Sequence, residues 1–247
     1  MTIRRHFAVG LLVGSVVAPA AAQDARLTGC STDPTNSTLP GVTILAQRDG
    51  RTAQAVTMDD GCYAFTHLPT GTYTLLACLA GFTPVGRDDV VVTAGHAETW
   101  NPVLRPGPIS DDHHIRTIAE LWKLADVIVR VRVTGYRFGL DSDIAATAVH
   151  EASILKIWKT DARVTGDPVA FQQRLEGECP PYEAGRELVL FLQWNPDVGA
   201  FERVNGINGA FTLAAGRLIY AGLDGYSGKA VDAFIAELNA LAGTDAR

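Results

Sequence analysis

The stretch from Asp60 to Phe82 limits what this chain can fold into more than any other. Apolar and polar residues alternate on both sides of Leu68-Pro69-Thr70-Gly71-Thr72, the period of an extended strand with one buried face. Tyr63, Phe65 and His67 share one face of the first segment; Tyr73, Leu75 and Ala77 share one face of the second. Pro69 and Gly71 supply the backbone angles of a tight turn. The stretch reads as a hairpin folded about Thr70, with Phe65 opposite Leu75 and Cys62 opposite Cys78 on the same face. A Cys62–Cys78 disulfide is therefore the expected pairing, with Cys30–Cys78 as its rival.

The same pattern extends outward. From Leu27 to Leu104, short β-type segments alternate with turn residues at roughly eight-to-twelve-residue spacing, which predicts a β-sandwich. The segments are 27–32, 41–47, 53–58, the two of the hairpin, 89–93 and 99–104. Within them stand Leu39-Pro40-Gly41-Val42-Thr43-Ile44, Asp60-Gly61-Cys62-Tyr63-Ala64-Phe65, Leu68-Pro69-Thr70-Gly71-Thr72-Tyr73, Gly81-Phe82 and Val90-Val91-Val92-Thr93-Ala94-Gly95. In this order the five blocks resemble the carboxypeptidase regulatory-like domain. The resemblance implies a seven-stranded immunoglobulin-like or prealbumin-like sandwich, classed with carbohydrate-binding-like folds. It brings no catalytic residues.

The N-terminus reads as a secretory signal. Arg4 and Arg5 precede the apolar Phe7–Val17, and Ala20-Ala21-Ala22 offers a small-residue cleavage site, so residues 1–22 are assigned to the signal. The general secretory route is favoured over the twin-arginine route, because Ile3 precedes the arginine pair. The expected location is periplasmic or extracellular, without stable membrane insertion after signal removal. Four cysteines in such a chain permit disulfides. Leu27-Thr28-Gly29-Cys30 spells a lipid-attachment box, but it lies outside the apolar segment. A net charge of -6, with no long basic run, argues against nucleic acid as partner.

The expected organisation is a sandwich over 23–105, a stiff linker over 106–110 and a second domain over 111–247. Arg105-Pro106-Gly107-Pro108 resists both helix and strand. Ser110 is placed as the N-cap of a helix bearing Ile115, Ile118, Leu121 and Trp122. Strands follow at 127–133, 146–158, 168–174, 187–194, 201–204, 210–213 and 217–220, and Ser227 caps a closing helix over 228–241. Leu124-Ala125-Asp126-Val127-Ile128-Val129, Ile154-Leu155-Lys156-Ile157-Trp158-Lys159 and the run from Cys179 to Phe191 resemble the netrin-like barrels of tissue metalloproteinase inhibitors. That resemblance implies an OB-like barrel flanked by helices. Cys179 lacks the local partners those inhibitors have, so inhibition does not carry over. The fold class is thus mostly β: a seven-stranded sandwich, then an α+β domain with a small barrel.

Chemistry-bearing motifs are sparse. Asp111-Asp112-His113-His114 has the wrong spacing for a metal site on a helix and reads as a solvated helix start. Asp141, Ser142 and Asp143 lack the closing Glu of a calcium loop. No phosphate loop, dinucleotide fingerprint or nucleophile elbow occurs. No catalytic residue, metal or cofactor is expected. Trp100, Trp158 and Trp194 are the candidates for stacking on a ligand. The expected function is non-enzymatic binding at the cell envelope, with an unknown protein or glycan as partner. Two alternatives remain: a peptidase inhibitor acting through the barrel, and a hydrolase using His150 and Cys179.

Overall fold

The computed structural model describes residues 25–107, 115, 117–142, 145–175, 179–204, 206–221, 223 and 225–245. The signal segment, Ser110 and the Asp111–His114 cluster lie outside these residues.

Seven strands build the first half: β1 (Ala25–Cys30), β2 (Thr43–Arg48), β3 (Arg51–Val56), β4 (Cys62–Leu68), β5 (Gly71–Cys78), β6 (Val85–Val92) and β7 (Ala97–Thr99). They form two sheets, ordered β4-β1-β7 and β3-β2-β5-β6. Leu27, Ile44, Tyr63, Phe65, Tyr73, Leu75, Val90 and Trp100 fill the space between. Burial of such side chains stabilises the fold by about 1.5–3 kcal/mol each. Tyr63 satisfies its hydroxyl inside this core by donating to the Trp100 carbonyl at 2.8 Å. Gly29 has no room for a side chain, because a Cβ there would collide with the Trp100 backbone carbonyl.

The expected hairpin about Thr70 is instead an arch. β4 pairs with β1, whereas β5 pairs with β2 and β6 in the other sheet. Alternation predicts two strands with inward apolar faces correctly, but a hairpin and an arch between facing sheets share that pattern. The correction reaches the cysteines. Tyr63 and Phe65 point into the core, so Cys62 points to the outside of its sheet, where it bonds Cys30 on neighbouring β1. Tyr73, Leu75 and Ala77 point into the same core from the other side, so Cys78 faces outward on the far sheet. It bonds Cys179. Neither Cys62–Cys78 nor Cys30–Cys78 forms, because a sandwich about 10 Å thick separates the two outer faces. With its sulfur in a disulfide, Cys30 has no thiol for a lipid.

Pro106 bridges to Phe82, and the Gly107 N–H donates to the Gly81 carbonyl at 2.9 Å. The proline-rich stretch thus begins against the sandwich.

The second half opens with α1 (Ile118–Leu124). Its N-cap is Thr117, in a capping box with Glu120, not Ser110. The reciprocal side-chain hydrogen bonds fix the start of this short helix. Strands β8 (Val127–Ser142), β9 (Ala145–Lys159), β10 (Val169–Arg174), β11 (Glu187–Asn195) and β12 (Ala200–Arg203) follow. β8, β9, β10, β12 and β11 are neighbours in that order, and β11 returns to β8, so the ring closes. The β10–β12 pairing is parallel and the others antiparallel. This is the small OB-like barrel. Its interior holds Val129, Val131, Ala152, Phe171, Leu190 and Phe201. β13 (Ala210–Ala214) and β14 (Arg217–Ala221) extend the sheet from β11. The closing helix α2 (Val231–Asp245) starts three residues later than expected. Gly228 adopts φ +83°, a left-handed angle that helices exclude. Both helices pack through Ile118, Leu121, Trp122, Phe234 and Leu238 onto Phe191 and Phe211.

One element joins the halves. The β8–β9 hairpin has arms of 16 and 15 residues, a reach of about 50 Å at ~3.3 Å per residue. Its base belongs to the barrel and its distal part lies on the outer face of the β3-β2-β5-β6 sheet. There Phe138, Ala146 and Ala148 meet Leu45, Leu76 and Cys78, with Leu175 and Cys179 alongside. Gln47 locks the contact: its amide accepts from the Phe138 N–H at 2.9 Å and donates to the Phe138 carbonyl at 3.0 Å. Gly86 allows the close approach, since a Cβ there would run into Leu140.

Candidate functional site

The three tryptophans end in different places. Trp100 is 7 % exposed in the sandwich core, which removes it as a stacking surface. Trp158 is half-buried; its Nε1–H donates to Asn239 Oδ1 at 2.8 Å, and Lys156 Nζ stands 4.8 Å from its ring centroid. It fastens β9 to α2. Trp194 lines a cleft.

That cleft, about 290 Å³, opens between β10, the loop leading into it and the β11–β12 turn. Val164, Pro168, Ala170, Gln172 and Trp194 form its walls, over a floor of the buried Phe171 and Phe201. Local chain chemistry places each wall. Trp194 sits near the end of β11, where its N–H donates to Asp126 Oδ2 at 2.8 Å. Asp126 in turn donates its N–H to the Leu192 carbonyl, so the start of β8 pins the end of β11. The indole meets Phe201 edge-on, with centroids 5.2 Å apart and planes at 76°, a favourable quadrupole arrangement. Arg163 holds its guanidinium 5.1 Å from the Trp194 centroid. Asp161 aims it, accepting from Nη1 at 2.9 and 3.0 Å and from the Arg163 N–H at 2.8 Å. The result is a mainly apolar concavity with a half-buried indole, a cation beside it and Gln172 at its wall. Apolar walls with a few polar groups at the edge are the general make-up of a small-molecule pocket.

His150 and Cys179 do not make a hydrolytic pair. Cys179 is bonded to Cys78 and has no thiol to deprotonate. His150 is fully buried, and burial pushes its imidazole down to about 4. Asp141 accepts from the Thr147 hydroxyl at 2.7 Å, while Asp143 lies outside the described residues. Among the described residues no group of three or more His, Cys, Asp or Glu side chains is arranged to hold a metal ion. Glu187, on the barrel's outer wall, accepts from Arg132 at 2.6 Å and from Arg130 at 2.6 and 3.1 Å. Those two guanidinium groups hold its carboxyl below the usual range. Among the described residues no helix is long and apolar enough to cross a membrane.

The sequence singles out Trp194 by residue type but not Arg163, Val164 and Pro168, which line the same cleft. They lie in a connection without periodicity, and only the Asp161-x-Arg163 turn marks it.

Sandwich, barrel and cleft together define a mostly β protein with a concavity on the barrel. Residues 26–105 match the family model of the carboxypeptidase regulatory-like domain. No curated protein matches the chain. Among solved structures, a cohesin–X-dockerin complex from Acetivibrio cellulolyticus aligns at 18% identity and TM-score 0.31, over 41% of this chain and 76% of that one. A candidate carbohydrate-binding protein from Bacteroides uniformis aligns at 13% identity and TM-score 0.31, over 77% of this chain and 98% of that one. Likeness at this level carries no functional argument.

Proposed function

We propose that the chain is an exported, non-catalytic binding protein of the cell envelope, whose barrel cleft takes a carbohydrate against Trp194. The observation that carries this reading is the half-buried indole set in a concave wall of Val164, Pro168 and Ala170, with Arg163 and Gln172 to meet hydroxyl oxygens. A pyranose offers an apolar face to an aromatic ring and a rim of hydroxyls to polar groups. The two disulfides fit an oxidising compartment, in keeping with the signal-like N-terminus.

The test is a glycan array probed with the mature chain, followed by calorimetry on the hits. Trp194→Ala is expected to weaken binding by about 10- to 100-fold, the loss of one aromatic anchor, measured under conditions where circular dichroism shows the variant folded. No retention on any glycan, or equal binding by the variant, rejects the reading.

A further inference from the structure

The cleft makes no use of His150, which is fully buried where the β8–β9 hairpin leaves the barrel. On β9 it is paired with Tyr136 of β8 on one side and Phe171 of β10 on the other. Its ring stacks on Phe171 at 4.8 Å and meets Tyr136 at 5.6 Å and Tyr182 at 5.4 Å. Nε2 lies 2.8 Å from Gln173 Oε1 and donates to it. Nδ1 is buried without a hydrogen bond. A neutral ring therefore suits the site, and among the described residues a second ring proton would meet no acceptor there.

The rings around His150 also carry the inter-domain contact. Tyr136 packs into the cluster of Phe138, Leu140, Leu45 and Leu76. Tyr182 follows Cys179, the barrel's half of the inter-domain disulfide, by three residues and accepts from Arg203 Nη1 at 2.9 Å. Arg203, from β12, is the charged group that acts on His150. Tyr136 is the titratable group facing it from β8, with Glu183 acting on that phenol, and Tyr182 faces it from the loop before β11. Gln173 and Phe171, from β10, carry no charge. On β9 itself, Glu151 lies on the exposed face, 3.9 Å from Arg137.

We propose that His150 is an acid sensor for the joint between the two domains. Protonation sets a second cation beside Arg203 and adds a buried Nδ1–H without a hydrogen bond, a charge that is relieved when the packing around the ring opens to water. The hairpin then loosens from the sandwich, while the Cys78–Cys179 bridge keeps the halves tethered. Burial is the main cause that holds the imidazole down at about 4; Arg203 adds to the shift and the Gln173 hydrogen bond opposes it. The joint is therefore closed at neutral pH and opens only in acid.

Small-angle scattering on the mature chain from pH 7 to pH 4 tests this, alongside His150→Gln, which keeps a polar group near Gln173 but cannot titrate. The radius of gyration is expected to rise reversibly in the wild type and to stay constant in the variant. A constant radius in the wild type, or equal expansion in both, overturns the proposal. A second readout needs no variant: in the wild-type chain, the NMR signals of the His150 ring and of the Leu140 and Leu175 methyl groups are expected to move with one midpoint. Separate midpoints overturn it too.

Discussion

Removing the bridge between Cys78 and Cys179 perturbs this molecule differently from removing the other disulfide. The two bridges close stretches with sequence separations of 101 and 32 residues. Loop-closure entropy in the unfolded chain then assigns about 4.7 kcal/mol to the longer and about 3.7 kcal/mol to the shorter. Cys78 is also 1 % exposed among Leu45, Leu76 and Phe138, so truncation to alanine opens a void that Cys30→Ala and Cys62→Ala do not. The paired variants C78A/C179A and C30A/C62A are to be compared by urea unfolding at pH 7. Trp100 reports on the sandwich, while Trp122, Trp158 and Trp194 report on the barrel side. C78A/C179A is expected to lose at least 1 kcal/mol more (about 4.7 against about 3.7) and to separate the two halves into distinct transitions. C30A/C62A is expected to keep one transition at lower urea. A smaller loss for C78A/C179A, with sandwich and barrel still unfolding together, refutes the claim that the long bridge couples the domains.

Two other outcomes follow from the same geometry. The folded His150 pKa, about 4, lies below the ordinary 6.5, so its contribution to stability is fully present above pH 6.5 and is lost as pH falls through about 4. Chemical unfolding at pH 7 and pH 4 should show the wild type losing roughly 3 kcal/mol more than His150→Gln, at 1.36 kcal/mol per unit; carboxylates titrate in both chains and cancel, and identical losses contradict the assignment. Gly86→Ala should lower stability by about 1–3 kcal/mol through the clash with Leu140, and Leu140→Ala in the same chain should recover part of it; no recovery in a double-mutant cycle places the strain elsewhere.

Much of the strand layout was legible because burial on one face imposes alternation. Tyr63, Phe65, Tyr73 and Leu75 all point where their spacing puts them. What alternation leaves open is which sheet a strand joins, and that choice decided the cysteines. Thr43-Ile44-Leu45-Ala46 and Leu75-Leu76-Ala77-Cys78 carried a further signal: runs without alternation belong to strands covered on both faces. The second face is Leu45 and Leu76 under the hairpin. Ser110 and Thr117 are both acceptable caps by residue type; Glu120, three residues after Thr117, distinguishes them. At the cleft, Trp194 was visible as a residue type, but its neighbours Arg163 and Phe201 are 31 and 7 positions away, and no local pattern links them.

The hairpin that leaves the barrel has a consequence for how this protein can be taken apart. An accessory β-sandwich that moves freely between proteins needs a polar exterior wherever it lands. Here Leu45, Leu76 and Cys78 give one wall a surface that fits only its present neighbour. Residues 26–105, the unit recognised as a domain, would expose a greasy face and a free thiol if excised. The borders of the matched module and of the apolar packing therefore differ, since the packing continues from the sandwich into the β8–β9 hairpin.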